Sequence, residues 1–192
     1  MRISITAETE NYQNIGETFK YYISITNNYM LVIDSSSLIS LAKVGLLDLS
    51  LSSLKETPMI PPEVYNESVL RKETVDSLLI QTRIQDKKII IKKVPERSLY
   101  NKLAYDFNLG KGEAEAIALC VLNQGILMTD DKKAINTCRA LKVPFITVAN
   151  VLITLHKKKK INREEAYDLL DKLQKYKRYS REVTEKIKGD LQ

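Results

Sequence analysis

A run of apolar residues that ends at an aspartate is the feature that most limits what this chain can fold into. Residues Met30–Ile33 are apolar without a break, Asp34 follows them, and three serines come next. Such a run is typical of a strand buried on both faces, as in a parallel sheet, and the serines can cap a following helix. We therefore predict that Asp34 lies at the carboxyl end of a central strand, where open α/β sheets bind ligands. The simpler alternative is that Asp34 only caps that helix.

Strand-like and helix-like segments alternate from residue 30 to about residue 150, which predicts an α/β fold with a mainly parallel central sheet. The predicted strands are Leu31–Ile33, Met59–Ile60, Ile89–Val94, Ile126–Met128 and Phe145–Val148. A further segment with strand composition, Tyr21–Thr26, precedes them. We divide the chain into an N-terminal extension (1–29), an α/β domain (30–150) and a basic helical C-terminal extension (151–192).

Composition excludes several classes of protein. Hydrophobic residues make up 44% of the 192-residue chain, which is enough for a real core. No apolar run approaches the roughly 18 residues that a membrane helix needs, and the N-terminus lacks the apolar region of a signal peptide. Cys120 and Cys138 are predicted to be buried, reduced thiols, and one histidine with two separated cysteines makes a poor zinc site. We expect a cytoplasmic protein without membrane contact.

The positive charge is concentrated near the C-terminus. Residues 157–192 have a net charge of +5, whereas residues 1–156 have a net charge of only +1. The densest cluster contains Lys157, Lys158, Lys159, Lys160 and Arg163. Such asymmetry favours contact with nucleic acid or an acidic partner, and the alternative is a merely solvated helical face.

Acidic residues recur at positions that a parallel sheet would bring to one edge. Asp34 follows one buried strand and the pair Asp130 and Asp131 follows another, while Glu67 and Glu113 lie on helices between strands. Carboxylates crowded into a partly buried pocket repel one another. Mg²⁺ or Mn²⁺ removes that repulsion, because these ions bind carboxylate oxygens and keep open positions for phosphate. Two such ions can activate a water and stabilise the leaving oxygen of a phosphodiester.

Three other uses of these residues fit poorly. The Gly110-Lys111-Gly112 turn lacks the length and the trailing Lys-Ser/Thr of a phosphate-binding P-loop. Phosphatases of the haloacid-dehalogenase type need a second aspartate two residues after the first, and that position is Ser36. Receiver domains need an acidic pair before the first helix, whereas Asp34 stands alone there.

Four segments in this order resemble the PIN-domain nucleases, including the VapC-type toxin ribonucleases. They are Val32-Ile33-Asp34-Ser35-Ser36, Ile60-Pro61-Pro62-Glu63-Val64-Tyr65-Asn66-Glu67, Gly110-Lys111-Gly112-Glu113-Ala114-Glu115-Ala116-Ile117 and Thr129-Asp130-Asp131. The resemblance covers about residue 30 to the end and looks closest to a prokaryotic subgroup with a helical C-terminus. It implies a three-layer α/β/α fold and a Mg²⁺- or Mn²⁺-dependent ribonuclease.

The resemblance also implies roles for individual residues. The catalytic metal ligands would be Asp34, Glu67, Glu113 and Asp131, with Asp130 sharing a ligand role or supporting it. Ser36 and Thr129 would support the site. Glu115 points about 200° away from Glu113 on an ideal helix, and Glu113 shares a face with Ile117. We therefore expect Glu63 and Glu115 to be solvated acids near helix ends.

The expected partners follow from the same resemblance. They are single-stranded RNA, an antitoxin protein as a candidate, and a second copy of the chain in a homodimer. The alternative function is a non-catalytic module of the same fold that binds nucleic acid or protein without cutting.

Overall fold

The computed structural model describes residues 29–71, 73–177 and 179–192. The strand predicted at Tyr21–Thr26, and the predicted N-terminal extension up to residue 28, lie outside the described residues. The described residues form two compact units, one ending at Val148 and the other beginning at Ala149.

The first unit is built on a parallel sheet. Its strands in the described chain are β1 (Leu31–Ile33), β2 (Met59–Ile60), β3 (Ile90–Ile91), β4 (Ile126–Met128) and β5 (Phe145–Ile146). They lie in the order β3-β2-β1-β4-β5, and every neighbouring pair is parallel. The most apolar strand, β1, is therefore central, and its three residues are buried. The predicted α/β fold with α/β/α layering is confirmed.

Ten α-helices accompany these strands in the described residues. They are α1 (Ser35–Lys43), α2 (Leu47–Ser53), α3 (Pro62–Tyr65), α4 (Val75–Gln85), α5 (Arg97–Phe107), α6 (Lys111–Asn123), α7 (Lys132–Ala140), α8 (Val148–Lys157), α9 (Arg163–Lys177) and α10 (Arg181–Asp190). A π-helical segment, Asn66–Leu70, directly continues α3. No described helix is both long and apolar enough to cross a membrane.

Two predicted strands are shorter than expected. The third contains only Ile90–Ile91 rather than Ile89–Val94, because its partner β2 is followed by Pro61 and Pro62, which have no N–H to extend the ladder. Val148 is not part of β5. Its backbone N–H donates to the Asp130 carboxylate at 3.3 Å, and α8 begins there.

The direction of strand addition reverses at β1. The chain places β2 and then β3 on one side of β1, and then crosses to β4 and β5 on the other. Ile33 pairs with Met128, and the backbone N–H of Asp34 donates to the Met128 carbonyl at 3.1 Å. The residues after β1 and β4 thus meet at the switch point of the sheet, where α/β folds bind ligands.

Helix α6 packs closely on this centre. Its alanines Ala114, Ala116 and Ala118 are fully buried in one apolar cluster with Val32 and Leu127 of the sheet. Small side chains let the helix backbone approach the strands, which carries the start of α6 to the edge where β1 and β4 end. Cys120 and Cys138 lie in the same cluster as free, buried thiols, as predicted.

Candidate functional site

Asp34 is a buried carboxylate held by three donors. It is 2% exposed, and its Oδ1 accepts from the Ser37 backbone N–H at 2.7 Å and from the Ser36 hydroxyl at 3.2 Å. The Thr129 hydroxyl donates to Oδ2. The alternative that Asp34 caps α1 is therefore correct as local geometry, and the cap fixes the carboxylate at the strand edge.

Thr129 connects the two strand ends. Besides donating to Asp34, its hydroxyl oxygen accepts from the backbone N–H of Asp131 at 3.1 Å. Asp131 caps α7, with Oδ1 accepting from the N–H groups of Lys133 and Ala134 at 2.7 and 3.0 Å. Thr129 and Ser36 thus both donate to Asp34, and their role in supporting a metal site stays a prediction.

Asp130 is oriented differently from its neighbour. The Asp130 carboxylate accepts a hydrogen bond from the Val148 backbone N–H. The negative charge of Asp131 is one of those that raise the pKa of the Glu113 carboxyl. The structure thus brings Asp131 near one other predicted ligand, Glu113. A metal-binding role for Asp130 stays a prediction.

Glu113 lies in the first turn of α6 and is half-buried. Its carboxylate accepts from the N-cap Gly110 N–H at 2.9 Å, which is one of the two bonds of a capping box. Burial raises the pKa of the Glu113 carboxyl above its ordinary value, and the negative charges of Asp131, Asp34 and Glu67 raise it further. We call these four side chains, Asp34, Glu67, Glu113 and Asp131, the acid cluster.

Glu67 reaches the acid cluster from the π-helical segment. The sequence predicted that Glu67 lies on a helix, and the structure widens that helix, since the Arg71 N–H donates to the Asn66 carbonyl at 3.0 Å. π-bulges are rare and are frequent at functional sites. The Glu67 carboxylate lies against Gly112, where a Cβ atom would come within 2.6 Å of Oε2. A side chain at position 112 would therefore require the end of the Glu67 side chain to move.

Glu63 and Glu115 are not solvated, so that expectation is wrong. Glu63 and Glu115 are 4% and 6% exposed. The Glu115 carboxylate accepts from the Glu63 backbone N–H at 3.0 Å and so caps α3. Glu63 in turn accepts from Lys111 Nζ at 2.9 Å, from Asn66 Nδ2 at 3.2 Å and from Arg71. We call Glu63, Asn66, Arg71, Lys111 and Glu115 the Glu63 network.

Sequence reasoning missed this network because it judged Glu115 by helical angle alone. A usable signal was present, since Glu115 stands in an alanine-rich run that must be buried on several sides, and Lys111 and Arg71 are basic residues next to predicted ligands. The Lys111 and Glu63 charges act on each other: a hydrogen bond from Lys111 is the main cause that lowers the pKa of the Glu63 carboxyl.

The predicted basic residues lie in the second unit. Lys157 ends α8, Lys158, Lys159 and Lys160 form the turn that follows, and all four are exposed. Lys159 adopts a left-handed conformation with φ of 56°. Arg163 begins α9 and stacks on the Tyr167 ring at 5.5 Å. Asn162 caps α9, with its Oδ1 accepting from the Glu165 N–H at 2.9 Å.

The acid cluster has the right chemistry for a hard divalent cation. All four groups are carboxylates, and the raised pKa of Glu113 shows that their charges are not fully compensated. Among the described residues, however, no three Asp, Glu, His or Cys side chains already have the spacing of metal ligands. The reason is visible in the hydrogen bonds, since Asp34, Glu113 and Asp131 each turn an oxygen towards a backbone N–H at a helix start.

Comparison with known proteins agrees with this geometry. A family model described as a PIN domain matches residues 30–191, which covers the α/β unit from β1 and the C-terminal helices. No curated protein matches the chain. PIN domains are generally nucleases, which are hydrolases, and they generally use divalent metal ions. Because the match spans most of the sequence, the chain belongs to the PIN-domain family.

Proposed function

We propose that this protein is a metal-dependent endoribonuclease that hydrolyses phosphodiester bonds of single-stranded RNA. The observation that carries the proposal is the acid cluster itself. Four carboxylates converge at the switch point of the sheet, and their mutual repulsion, together with burial, raises the pKa of Glu113. A site that concentrates negative charge in this way is suited to bind cations rather than phosphate directly.

The residues divide into ligands and supports. Asp34, Glu67, Glu113 and Asp131 would hold Mg²⁺ or Mn²⁺, which when bound supplies an activated water and stabilises charge on the phosphodiester oxygens. Ser36 and Thr129 orient the Asp34 carboxylate by donating to its two oxygens. Supports of this kind fix ligand geometry and are themselves important for activity.

Cleavage of a single-stranded RNA labelled at both ends tests the proposal. We expect no cleavage after EDTA treatment and restored cleavage with Mg²⁺ or Mn²⁺, with 5′-phosphate and 3′-hydroxyl products as the family resemblance implies. Asp34→Asn protein, purified in the same way, is the control for a contaminating nuclease. Full activity of the metal-free protein would overturn the proposal. RNA binding without cleavage at any metal concentration would favour the alternative, a non-catalytic binding module.

The biological setting is a further part of the proposal. We expect a cytoplasmic toxin whose partners are RNA, an antitoxin protein and a second copy of the chain. Inducible expression should arrest growth of a host cell, and the Asp34→Asn variant should not. Light scattering on the purified protein measures whether it is a homodimer. Growth that is unaffected by the active wild-type enzyme would remove the toxin role and leave the nuclease.

The exposed lysine run, Lys157–Lys160, supports RNA binding outside the chemistry. Lysines hold phosphates as point charges and read no base edges. Changing all four to glutamine should weaken binding for every RNA sequence alike and flatten the slope of log K against log salt by at most about 3. Turnover at saturating RNA should barely change, because none of the four supplies a carboxylate. An unchanged salt slope would assign the run to solvent or to an acidic partner.

A further inference from the structure

Glu63 is a buried anion that holds two exposed cations. Its side chain is 5% exposed, whereas the side chains of Lys111 and Arg71 are 59% and 61% exposed. Lys111 Nζ donates to Oε2 at 2.9 Å, and Arg71 donates to Oε1. The carboxylate is therefore fixed inside the protein, and both basic head groups remain open to solvent.

Both cations lie on elements that also carry residues of the acid cluster. Lys111 is the first residue of α6 and precedes Gly112, whose backbone lies against the Glu67 carboxylate. Glu113 follows on the same helix. Arg71 comes directly after the π-helical segment that carries Glu67. Helix α6 thus carries both Lys111 and Glu113, and the chain around the π-helical segment carries both Arg71 and Glu67.

Lys111 and Arg71 keep N–H donors that their ion pairs with Glu63 do not use. An ammonium and a guanidinium each carry more N–H donors than the bond they make to Glu63, so donors remain for another acceptor. A side chain that is already held in place also loses less conformational entropy when it binds a ligand. The backbone of Glu63 is itself fixed, because Glu115 accepts its N–H at 3.0 Å.

We infer that Glu63 is a positioning residue that holds Lys111 and Arg71 where their head groups contact RNA phosphates beside the acid cluster. Lys111 contacts one phosphate as a point charge, and Arg71 can engage another with the fork of its guanidinium. The inference rests on the proposed function, since it names how the same site takes its substrate.

Binding of a labelled single-stranded RNA tests it, measured by fluorescence anisotropy over a range of salt with Mn²⁺ present. The Asp34→Asn protein serves as background, so that the RNA is not cut during the measurement. Lys111→Gln and Arg71→Gln should each weaken binding about fivefold at about 0.1 M salt and reduce the salt slope by about 0.7, the effect of one lost phosphate contact on a single strand. In otherwise wild-type enzyme the same changes should raise KM and leave kcat nearly unchanged.

Glu63→Gln distinguishes a positioning role of Glu63 from simple electrostatic attraction between the protein and RNA. It makes the protein more positive by one charge, so attraction alone would tighten RNA binding. Positioning requires the opposite, because a neutral amide no longer fixes both cations, and we expect weaker binding. The matched control is Lys102→Gln, an exposed lysine that pairs with Asp106 at 3.8 Å and should bind RNA as the background protein does.

Each outcome decides one of the two claims. Equal affinity and salt slope for Lys111→Gln and its background, in a protein that cleaves RNA, would overturn this inference and keep the nuclease. Tighter binding by Glu63→Gln, or an equal loss in Lys102→Gln, would overturn it as well. If Glu63→Gln does not fold, the exposed Lys111 and Arg71 variants decide. A wild-type protein that binds RNA but never cleaves it would overturn the proposed function alone.

Discussion

Glu113 and Glu63 are both acids near the start of a helix at the same edge of the sheet, and their carboxyl pKa values move in opposite directions. The pKa of Glu113 is raised by burial and by three neighbouring carboxylates. The pKa of Glu63 is lowered, chiefly by the hydrogen bond from Lys111, with Asn66 and the Arg71 charge acting the same way against the effect of burial. Residue type alone therefore does not distinguish the two sites.

The difference lies in what compensates the charge. The Glu63 network contains its own cations, so its ionised form is stable within the protein. In the acid cluster, burial and the charges of three other carboxylates act on Glu113, and no cation is among the causes of its pKa shift. The Glu63 charge is thus compensated by neighbouring side chains, whereas the Glu113 charge is disfavoured by its surroundings.

The largest effect that this comparison predicts is on catalysis. Asp34→Asn should reduce the rate of RNA cleavage by more than about 100-fold, because even residues that only support metal ligands change activity by roughly 10–100-fold. The folded protein should remain as stable as the wild type, since asparagine is as good a helix cap as aspartate and one repelling charge is gone. Cleavage assays and urea unfolding measure the two results on the same preparation.

Two further measurements separate the catalytic role of Asp34 from its capping role. Asp34→Ala also loses the cap and should unfold about 1 kcal/mol more easily. Mn²⁺ at ten times its Kd should stabilise the wild type by about 1.4 kcal/mol and should not stabilise Asp34→Asn. Asp106→Asn, a change at an exposed helical acid, is the control for both assays. An active Asp34→Asn enzyme would mean that Asp34 is a cap alone.

The acid cluster could be predicted from sequence because its members lie in short local patterns. Asp34 and Thr129 each follow an apolar strand, and parallel strands bring their carboxyl ends to one edge. The resemblance to the PIN-domain family then connected them with Glu67 and Glu113. The central strands β1 and β4 were predicted with their observed bounds for the same reason, since they are buried on both faces.

The Glu63 network could not be predicted in the same way. Two of its bonds join Glu63 to residues 48 and 52 positions away, so they depend on how α3 meets α6, and only the bonds to Asn66 and Arg71 are local. The π-helical widening at Asn66–Leu70 has a similar origin. Helical periodicity places Glu63 and Glu67 on one face, whereas the structure gives them different surroundings, with Glu63 bonded to Lys111 and Glu67 against Gly112.

The next effect in size is on stability. Glu63→Gln should lower the free energy of unfolding at neutral pH by about 1.5 kcal/mol, the lower range for a hydrogen bond to a charged group. The loss stays in the lower range because the exposed Lys111 and Arg71 head groups can be solvated by water instead. Since its pKa is lowered in the folded state, Glu63 stabilises the protein above its ordinary pKa of 4.5, and this contribution is lost as the pH falls through the folded value. The difference between wild type and variant should therefore shrink in acid. A difference that is constant with pH would contradict an ionised Glu63.

The smallest predicted effect has the opposite sign. Glu113→Gln should make the metal-free protein slightly more stable than the wild type at neutral pH, because the folded state raises the pKa of Glu113 and so disfavours its charged form. A raised pKa favours folding below the ordinary value of 4.5, and this contribution is lost as the pH rises through the folded value. Glutamine keeps the capping bond to Gly110, since either residue can close a capping box. Urea unfolding in EDTA, from about pH 7 to about pH 4, should show the gain at neutral pH disappearing in acid, while Glu63→Gln keeps its deficit until the pH falls below the ordinary value of 4.5. A variant that is less stable than the wild type at neutral pH without metal would place Glu113 with the compensated acids and remove it from the acid cluster.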